Sequence, residues 1–307
     1  MMPGIEGQRT NRSDDPYERE PVRLLLARTA ERLSAPEMHS EGPMWEAREL
    51  VAHALGSLPA QLEDQLEHRL HAEERRRFDQ LLARRLAEEP LGYIVGAVEL
   101  CGVRFKVDRR AFIARQDLPV CVAAALEGLP QDVQGHALDL ACGMGAAGIL
   151  VGVQRPGLLV DLADLHPPSV ELAQENGDAI LPGRVRAFAS DLFSGLPQEF
   201  RGRYDVITAN PPWVPDGTRL PSEVIDHEPS VSFFGGPDGL NIVRRLIGEL
   251  PSWLAPGGRY AQECDPGQVA KVMVLLEEAG LRGVRSHVDA EGVQRVVSGA
   301  LLEAASR

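Results

Sequence analysis

The sequence predicts an α/β protein in which a parallel, helix-flanked sheet follows a small helical domain and a β-hairpin linker. Three observations carry that prediction. Apolar residues recur at helical spacing before residue 90, the period changes around Cys101-Gly102, and strands alternate with helices from Ala137 onward. With 307 residues and 44% hydrophobic content, the chain is long enough to bury a sizeable core in one large domain and a small one.

Charge and composition narrow the function classes. A formal net charge of −13 argues against a partner held through phosphate contacts, so nucleic acid is not the expected ligand. No apolar run approaches the roughly 18–20 residues of a membrane span, and residues 1–20 lack the apolar core of a signal peptide. They read as a disordered lead-in. Cys101, Cys121, Cys142 and Cys264 form no C-x-x-C pair, which suggests neither a metal site nor a disulfide framework and fits a reducing cytoplasm.

Residues 21–89 read as a helical recognition domain. Val22, Leu25, Leu26 and Thr29 share one helical face, and Leu50, Val51, Ala54 and Leu55 share another. Gly42-Pro43 and Gly56-Ser57-Leu58-Pro59 break these helices, and a third runs from Ala72 to Ala87. Residues 90–114 read as the hairpin linker, with strands Tyr93 to Leu100 and Val103 to Val107. The remaining span, 115–307, opens with a helix near Pro119 to Leu126. Strands then follow at Ala137–Ala141, Leu158–Asp164, Arg184–Ala189, Tyr204–Ala209 and Arg259–Glu263. Helices are expected to Val153, over Pro167–Asn176, over Leu240–Leu254 as far as the Pro256-Gly257-Gly258 break, and over Gln268–Ala279. Val284–Val288 and Val293–Leu302 close the sheet as an antiparallel edge.

Two of the loops carry chemistry. Gly143-x-Gly145-x-x-Gly148 follows a strand and opens a helix, so its backbone approaches a ligand closely and free N–H groups face it. Asp164 ends the next strand about 20 residues on, where a carboxylate takes two ribose hydroxyls; Asp161 is the rival. Asp139 would lie beside the ligand's amino-acid end, and Asp191 would accept from an adenine amino group. The second loop, Asn210-Pro211-Pro212-Trp213, follows a buried strand. Its two prolines have no N–H, so the loop is stiff and rich in acceptors, suited to a planar nitrogen bearing N–H groups. Trp213 would stack on that nitrogen's plane. Hydride transfer from NAD needs no such cup, whereas alkyl transfer from S-adenosylmethionine to nitrogen does. No Ser/His/Asp triad, metal-ligand cluster or Walker loop competes. His166 and His227, near the rim, read as structural or surface residues.

Taken in order, Leu138-Asp139-Leu140-x-x-Gly143-x-Gly145, Asp164-Leu165-His166-Pro167, Asp191-Leu192-Phe193 and Asn210-Pro211-Pro212-Trp213 resemble class I S-adenosylmethionine-dependent methyltransferases. The chain is most similar to the release-factor glutamine N5-methyltransferases of the PrmC/HemK type, over residues 45–300. Glu89-Pro90-Leu91-x-Tyr93-Ile94-x-Gly96, Phe105-Lys106-Val107, Glu228-Pro229 and Phe234-Gly235-Gly236-x-Asp238-Gly239-Leu240 belong to the same resemblance. It implies a seven-stranded Rossmann-like catalytic domain. It also implies a cofactor site at Arg115, Asp139, Ala141, Gly143, Gly145, Asp164, Leu165, Asp191, Leu192 and Asn210, with Asn210, Pro211 and Trp213 catalytic. Trp213 stands where the family has Tyr. Ala114-Arg115-Gln116-Asp117-Leu118-Pro119 keeps the Arg of the family's Pro-Arg-Pro-Glu-Thr-Glu run but not its second carboxylate or flanking prolines. Three acceptors stay open: a protein glutamine, a small molecule in a biosynthetic pathway, and the cofactor's own amino group, which would close to azetidine-2-carboxylate and release methylthioadenosine. A non-catalytic S-adenosylmethionine-binding protein is the competing class.

Overall fold

The helical spacing before residue 90 becomes three helices, α1 (Val22–Leu33), α2 (Pro43–Leu55) and α3 (Ala72–Leu86). The computed structural model describes residues 20–34, 42–115 and 118–302. The expected lead-in (apart from Glu20) and Gln116-Asp117 therefore lie outside the described residues. The chain divides into two compact units, Met1–Val95 and Gly96–Arg307.

In the first unit, α2 starts with Pro43 at its first turn and stops at Gly56, whose φ of 67° only glycine adopts without strain. Leu25, Leu26, Leu50, Val51, Phe78 and Leu82 meet in its core. One ion pair is buried with them. Arg85 Nε donates to Glu46 Oε2 at 2.7 Å, and both residues are no more than 3% exposed.

The expected strand over Tyr93 to Leu100 is wrong in its first half. Leu91–Val95 is a short helix, α4, in which the N–H groups of Tyr93 and Ile94 both reach the Pro90 carbonyl. Leu91, Tyr93, Ile94 and Val95 are all buried, so the run lacks the in-and-out alternation of a half-exposed strand. Gly96, at φ 71°, ends the helix and begins the second unit.

The hairpin consists of β1 (Ala97–Leu100) and β2 (Val103–Lys106), with Leu100 opposite Val103. Its two turn residues, Cys101 and Gly102, both have positive φ, the turn that matches strand twist. Beyond it come α5 (Leu118–Leu126), β3 (Gly135–Leu140), α6 (Ala146–Gln154), β4 (Leu158–Asp164), α7 (Pro167–Ile180), β5 (Val185–Ala189) and β6 (Tyr204–Ala209). A short α8 (Ser222–Ile225) precedes α9 (Asn241–Glu249), β7 (Leu254–Glu263), α10 (Val269–Glu278), β8 (Arg282–Val288) and β9 (Gln294–Ala300). The expected helix over Leu240–Leu254 is shorter, because β7 begins at Leu254. Pro256-Gly257-Gly258 lies inside that strand, at a register shift against β6.

Seven strands form one sheet in the order β5-β4-β3-β6-β7-β9-β8. Pairs from β5 to β7 are parallel, and β9 runs antiparallel to both β7 and β8. From β3 the chain steps outward to β4 and β5, then returns to pair β6 on the other side of β3. That reversal is the position where open α/β sheets bind ligands, at the carboxyl ends of the strands. Trp253, stacked on Phe193, anchors the core beneath it. Among the described residues, no helix is long and apolar enough to cross a membrane.

Candidate active site

The glycine loop leaves β3 in a left-handed turn. Ala141, Gly143 and Gly145 have φ of 52°, 55° and 84°, and Gly145 N–H returns to the Cys142 carbonyl at 2.8 Å. Gly148 is needed for closeness, since a Cβ there would lie 2.6 Å from Leu162 Cδ2 and 2.8 Å from Asp139 Cβ. Leu192, just past β5, is left-handed as well, at φ 53°. Left-handed backbone at non-glycine residues is costly, and here it falls at two of the strand ends where the sequence expected ligand contacts.

Asp164 ends β4 beside this loop. Its Oδ2 accepts from Gly143 N–H at 2.9 Å and its Oδ1 from His166 N–H at 2.8 Å, so one carboxylate joins two strand-end loops. Burial raises its pKa despite both bonds. Asp161, the rival, is taken up inside the sheet by Arg186, at 2.9 Å to each oxygen, and by the Tyr204 hydroxyl at 2.8 Å. Asp139 is tied into the packing beneath the loop. It is 2% exposed, and its oxygens accept from Gly148 N–H and the Thr208 hydroxyl, so it supports the loop. Burial pushes its carboxyl up to about 7. Asp191 is exposed and accepts from Arg245 of α9 at 2.8 Å. Leu165 is 57% exposed at the end of β4.

The second loop leaves β6, the neighbour of β3. Leu140 lies opposite Ala209, so Ala141 and Asn210 are the next residues of two adjacent strands. The Asn210 amide nitrogen donates to Glu263 Oε2 at 2.7 Å, from the end of β7. Pro211 is buried, and Pro212 and Trp213 are partly so. Gln268 Nε2 donates to the Trp213 carbonyl at 2.9 Å and to the Asp238 carbonyl at 3.1 Å. The glycines of Phe234-Gly235-Gly236 let that strip pass close by: a Cβ at Gly235 would stand 2.5 Å from the Pro212 carbonyl. Val214 and Gly235 complete the pairing through the Phe233 and Val214 carbonyls, each at 2.9 Å.

Arg115 donates to Glu228 Oε1 at 2.7 Å and covers the Phe112 ring, while Ile113 N–H reaches the other Glu228 oxygen. His166 bonds the Arg110 carbonyl and Ser169, and His227 faces Arg109 at the surface. Glu263, Gln268 and Thr208 were not singled out from the sequence. Glu263 bonds Asn210 53 residues away, Thr208 bonds Asp139 69 away, and Gln268 bonds Trp213 55 away and Asp238 30 away; the resemblance over Glu228-Pro229 was the only signal for Glu228.

In the first unit, where the sequence suggested no metal-ligand cluster, His68, His71 and Glu74 bring one ligand atom each within 4.8 Å of one another. Glu74 there accepts from the His71 N–H at 2.7 Å, capping α3, and meets the His68 ring at 3.0 Å.

A glycine loop after the first strand, an acidic end on the second and an amide-bearing loop at the switch point define a class I methyltransferase. Residues 110–227 match the Methyltransferase small domain and residues 25–96 the PrmC N-terminal domain. The chain is 33% identical to the release factor glutamine methyltransferase of Geobacter sulfurreducens, over 84% of this chain and 90% of the relative. It is 34% identical to that of Neisseria gonorrhoeae, over 85% and 94%. With the ribosomal protein uL3 glutamine methyltransferase of Xylella fastidiosa it shares 34% identity, over 81% and 79%. The chain belongs to the release factor glutamine methyltransferase family. It is an S-adenosylmethionine-dependent N-methyltransferase. In the left-handed loop, a Cβ at Gly143 would meet nothing nearer than the Phe112 carbonyl at 3.7 Å, whereas one at Gly145 would strike Leu162 Cδ1 at 2.8 Å, so Gly145 serves packing and Gly143 leaves the open side.

Proposed function

We propose that the protein methylates the side-chain amide nitrogen of a glutamine in a protein substrate, a release factor in the first instance. The observation that carries this reading is the adjacency of the two loops: Leu140 and Ala209 are partners across β3 and β6, so cofactor loop and acceptor loop leave the sheet side by side. Of the acceptors the sequence left open, the relatives' names favour the protein glutamine.

When bound, S-adenosylmethionine supplies an electrophilic methyl group on a positively charged sulfur. The chain's residues do the rest. Asp164 takes the ribose hydroxyls, Asp191 the adenine amino group, and Leu165 and Leu192 border the ring. Ala141 and Gly143 give room to the amino-acid end, with Gly145 packing the turn against Leu162, while Arg115, held by Glu228, closes the side next to Phe112. Asn210 presents its side-chain oxygen, and Pro211 its carbonyl, to the two N–H groups of the acceptor amide. Accepting from both N–H groups draws electron density toward nitrogen, a weak nucleophile in a free amide, and fixes its direction. Trp213 lies against the plane of the amide. No side chain needs to be a strong base, because the nitrogen becomes acidic only as the new bond forms.

Purified protein supplied with methyl-labelled S-adenosylmethionine and either a release factor or ribosomal protein uL3 tests the reading. Label on a glutamine of the release factor supports it. Label on uL3 alone moves the substrate to the ribosome, and label on neither, with methylthioadenosine released, overturns it.

A further inference from the structure

A primary amide has two chemically opposite ends of nearly the same size. Rotating the Asn210 amide by half a turn would exchange a C=O for an NH2 and convert a cup for N–H donors into one that welcomes an acceptor. What stands behind Asn210 therefore decides what the site takes. Behind it stands a carboxylate: Asn210 Nδ2 lies 2.7 Å from Glu263 Oε2. A carboxylate only accepts, so the end that faces it is the NH2. The two side chains meet because β6 and β7 are parallel neighbours, with Ala209 opposite Gln262, which sets Asn210 and Glu263 at the next step. Glu263 is 7% exposed, so little water screens the repulsion that a reversed amide would meet.

We propose that Glu263 is the residue that makes this site select an amide over a carboxylate. By holding the Asn210 nitrogen, it turns the Asn210 oxygen toward the acceptor and forbids the reverse. Glutamine then offers two N–H groups to two oxygens. Glutamate, of the same shape, sets its own oxygens against them. On this reading Glu263 acts through Asn210, as a positioning residue. The inference rests on the glutamine reading above, and sharpens it from a substrate class to the atom that reads it.

The test compares wild-type protein, Glu263→Gln, Glu263→Asp and the exchanged pair Asn210→Asp with Glu263→Gln. In the exchanged pair, the amide introduced on β7 would donate to the carboxylate introduced after β6 and restore an acceptor-only cup. Each is assayed with a release factor, and for inhibition by the same factor carrying glutamate at the methylated position. For E263Q we expect kcat/KM to fall on the order of tenfold or more while the S-adenosylmethionine Kd stays within about twofold. We also expect the glutamate factor, inert toward wild type, to become a competitive inhibitor. Glu263→Asp keeps the selectivity at a lower rate, and the exchanged pair regains it, so the outcome survives if E263Q does not fold. Unchanged discrimination in E263Q, or losses in rate matched by equal losses in cofactor affinity with no recovery in the exchanged pair, would overturn the proposal. Wild type silent toward every glutamine substrate would instead mark failure of the glutamine reading itself.

Discussion

If Asn210 acts on the acceptor, as proposed, its removal should separate rate from cofactor binding, because its amide nitrogen is held by Glu263 of β7. Asn210→Ala is expected to lower kcat on the order of a hundredfold, as the loss of one oriented polar partner does elsewhere, with the S-adenosylmethionine Kd nearly unchanged. Steady-state kinetics and calorimetry on the same preparation check it; equal losses would make Asn210 structural. The two carboxylates of β4 should separate in a different way. Asp164→Ala removes the acceptor for Gly143 N–H and should weaken cofactor binding. Asp161→Ala leaves the buried Tyr204 hydroxyl without its partner and should cost about 1–3 kcal/mol of stability with little change in Kd. The places of Asn210, the glycines and Asp164 at or just past strand ends were legible because each signal is local, a few residues of fixed type after an apolar run. Glu263 and Gln268 were not, because each acts on a loop 53 or 55 residues away and only the pairing of β6 with β7 brings them there. The hydrogen bonds of Asp139 to Gly148 and Thr208 had no sequence signal for a related reason: its position before the glycines is the same with or without them.

At the scale of elements, the runs that read most cleanly were β4 and β6, whose ends match the expectation residue for residue. Both are short and largely apolar, β6 with three β-branched residues in succession, and are bounded by Asp164 or Asn210 at the point where the chain turns. Elements that mislead do so through composition. Tyr93-Ile94-Val95 has strand-forming side chains, but all three are buried and Pro90 offers its carbonyl to the first turn of a helix. Pro256-Gly257-Gly258 looks like a break and is a bulged part of β7. The buried Arg85–Glu46 pair, which ties α3 to α2, had no sequence signal, since its partners are 39 residues apart. Arg85→Ala should destabilise the protein by about 3–5 kcal/mol because it strands the Glu46 charge, whereas replacing both with apolar residues of similar volume should cost far less. Denaturant unfolding of the single and double variants checks this, and additive losses would contradict it.

The whole molecule should carry a pH signature of its packed switch point. With its carboxyl at about 7, folded Asp139 keeps a proton that the unfolded chain, at about 3.9, has released. The native state thus binds more protons between about 4 and 7, and this group's contribution to stability is full below that window and lost as pH rises through it. The stability of wild type relative to Asp139→Asn should therefore fall from about pH 4 to 7 and level off above, a difference that thermal unfolding across that range reads directly. The same sheet that buries Asp139 sets the loops after β3 and β6 beside each other, and on that adjacency the function proposed for the site depends. The decisive test is to incubate the protein with S-adenosylmethionine and a release factor, then identify both the modified residue and the nucleoside product by mass spectrometry. We expect one methyl group on a glutamine side-chain nitrogen and an equal amount of S-adenosylhomocysteine, with neither formed when the acceptor is left out. Methylthioadenosine released from S-adenosylmethionine alone, or methylation at an atom other than that nitrogen, would contradict it.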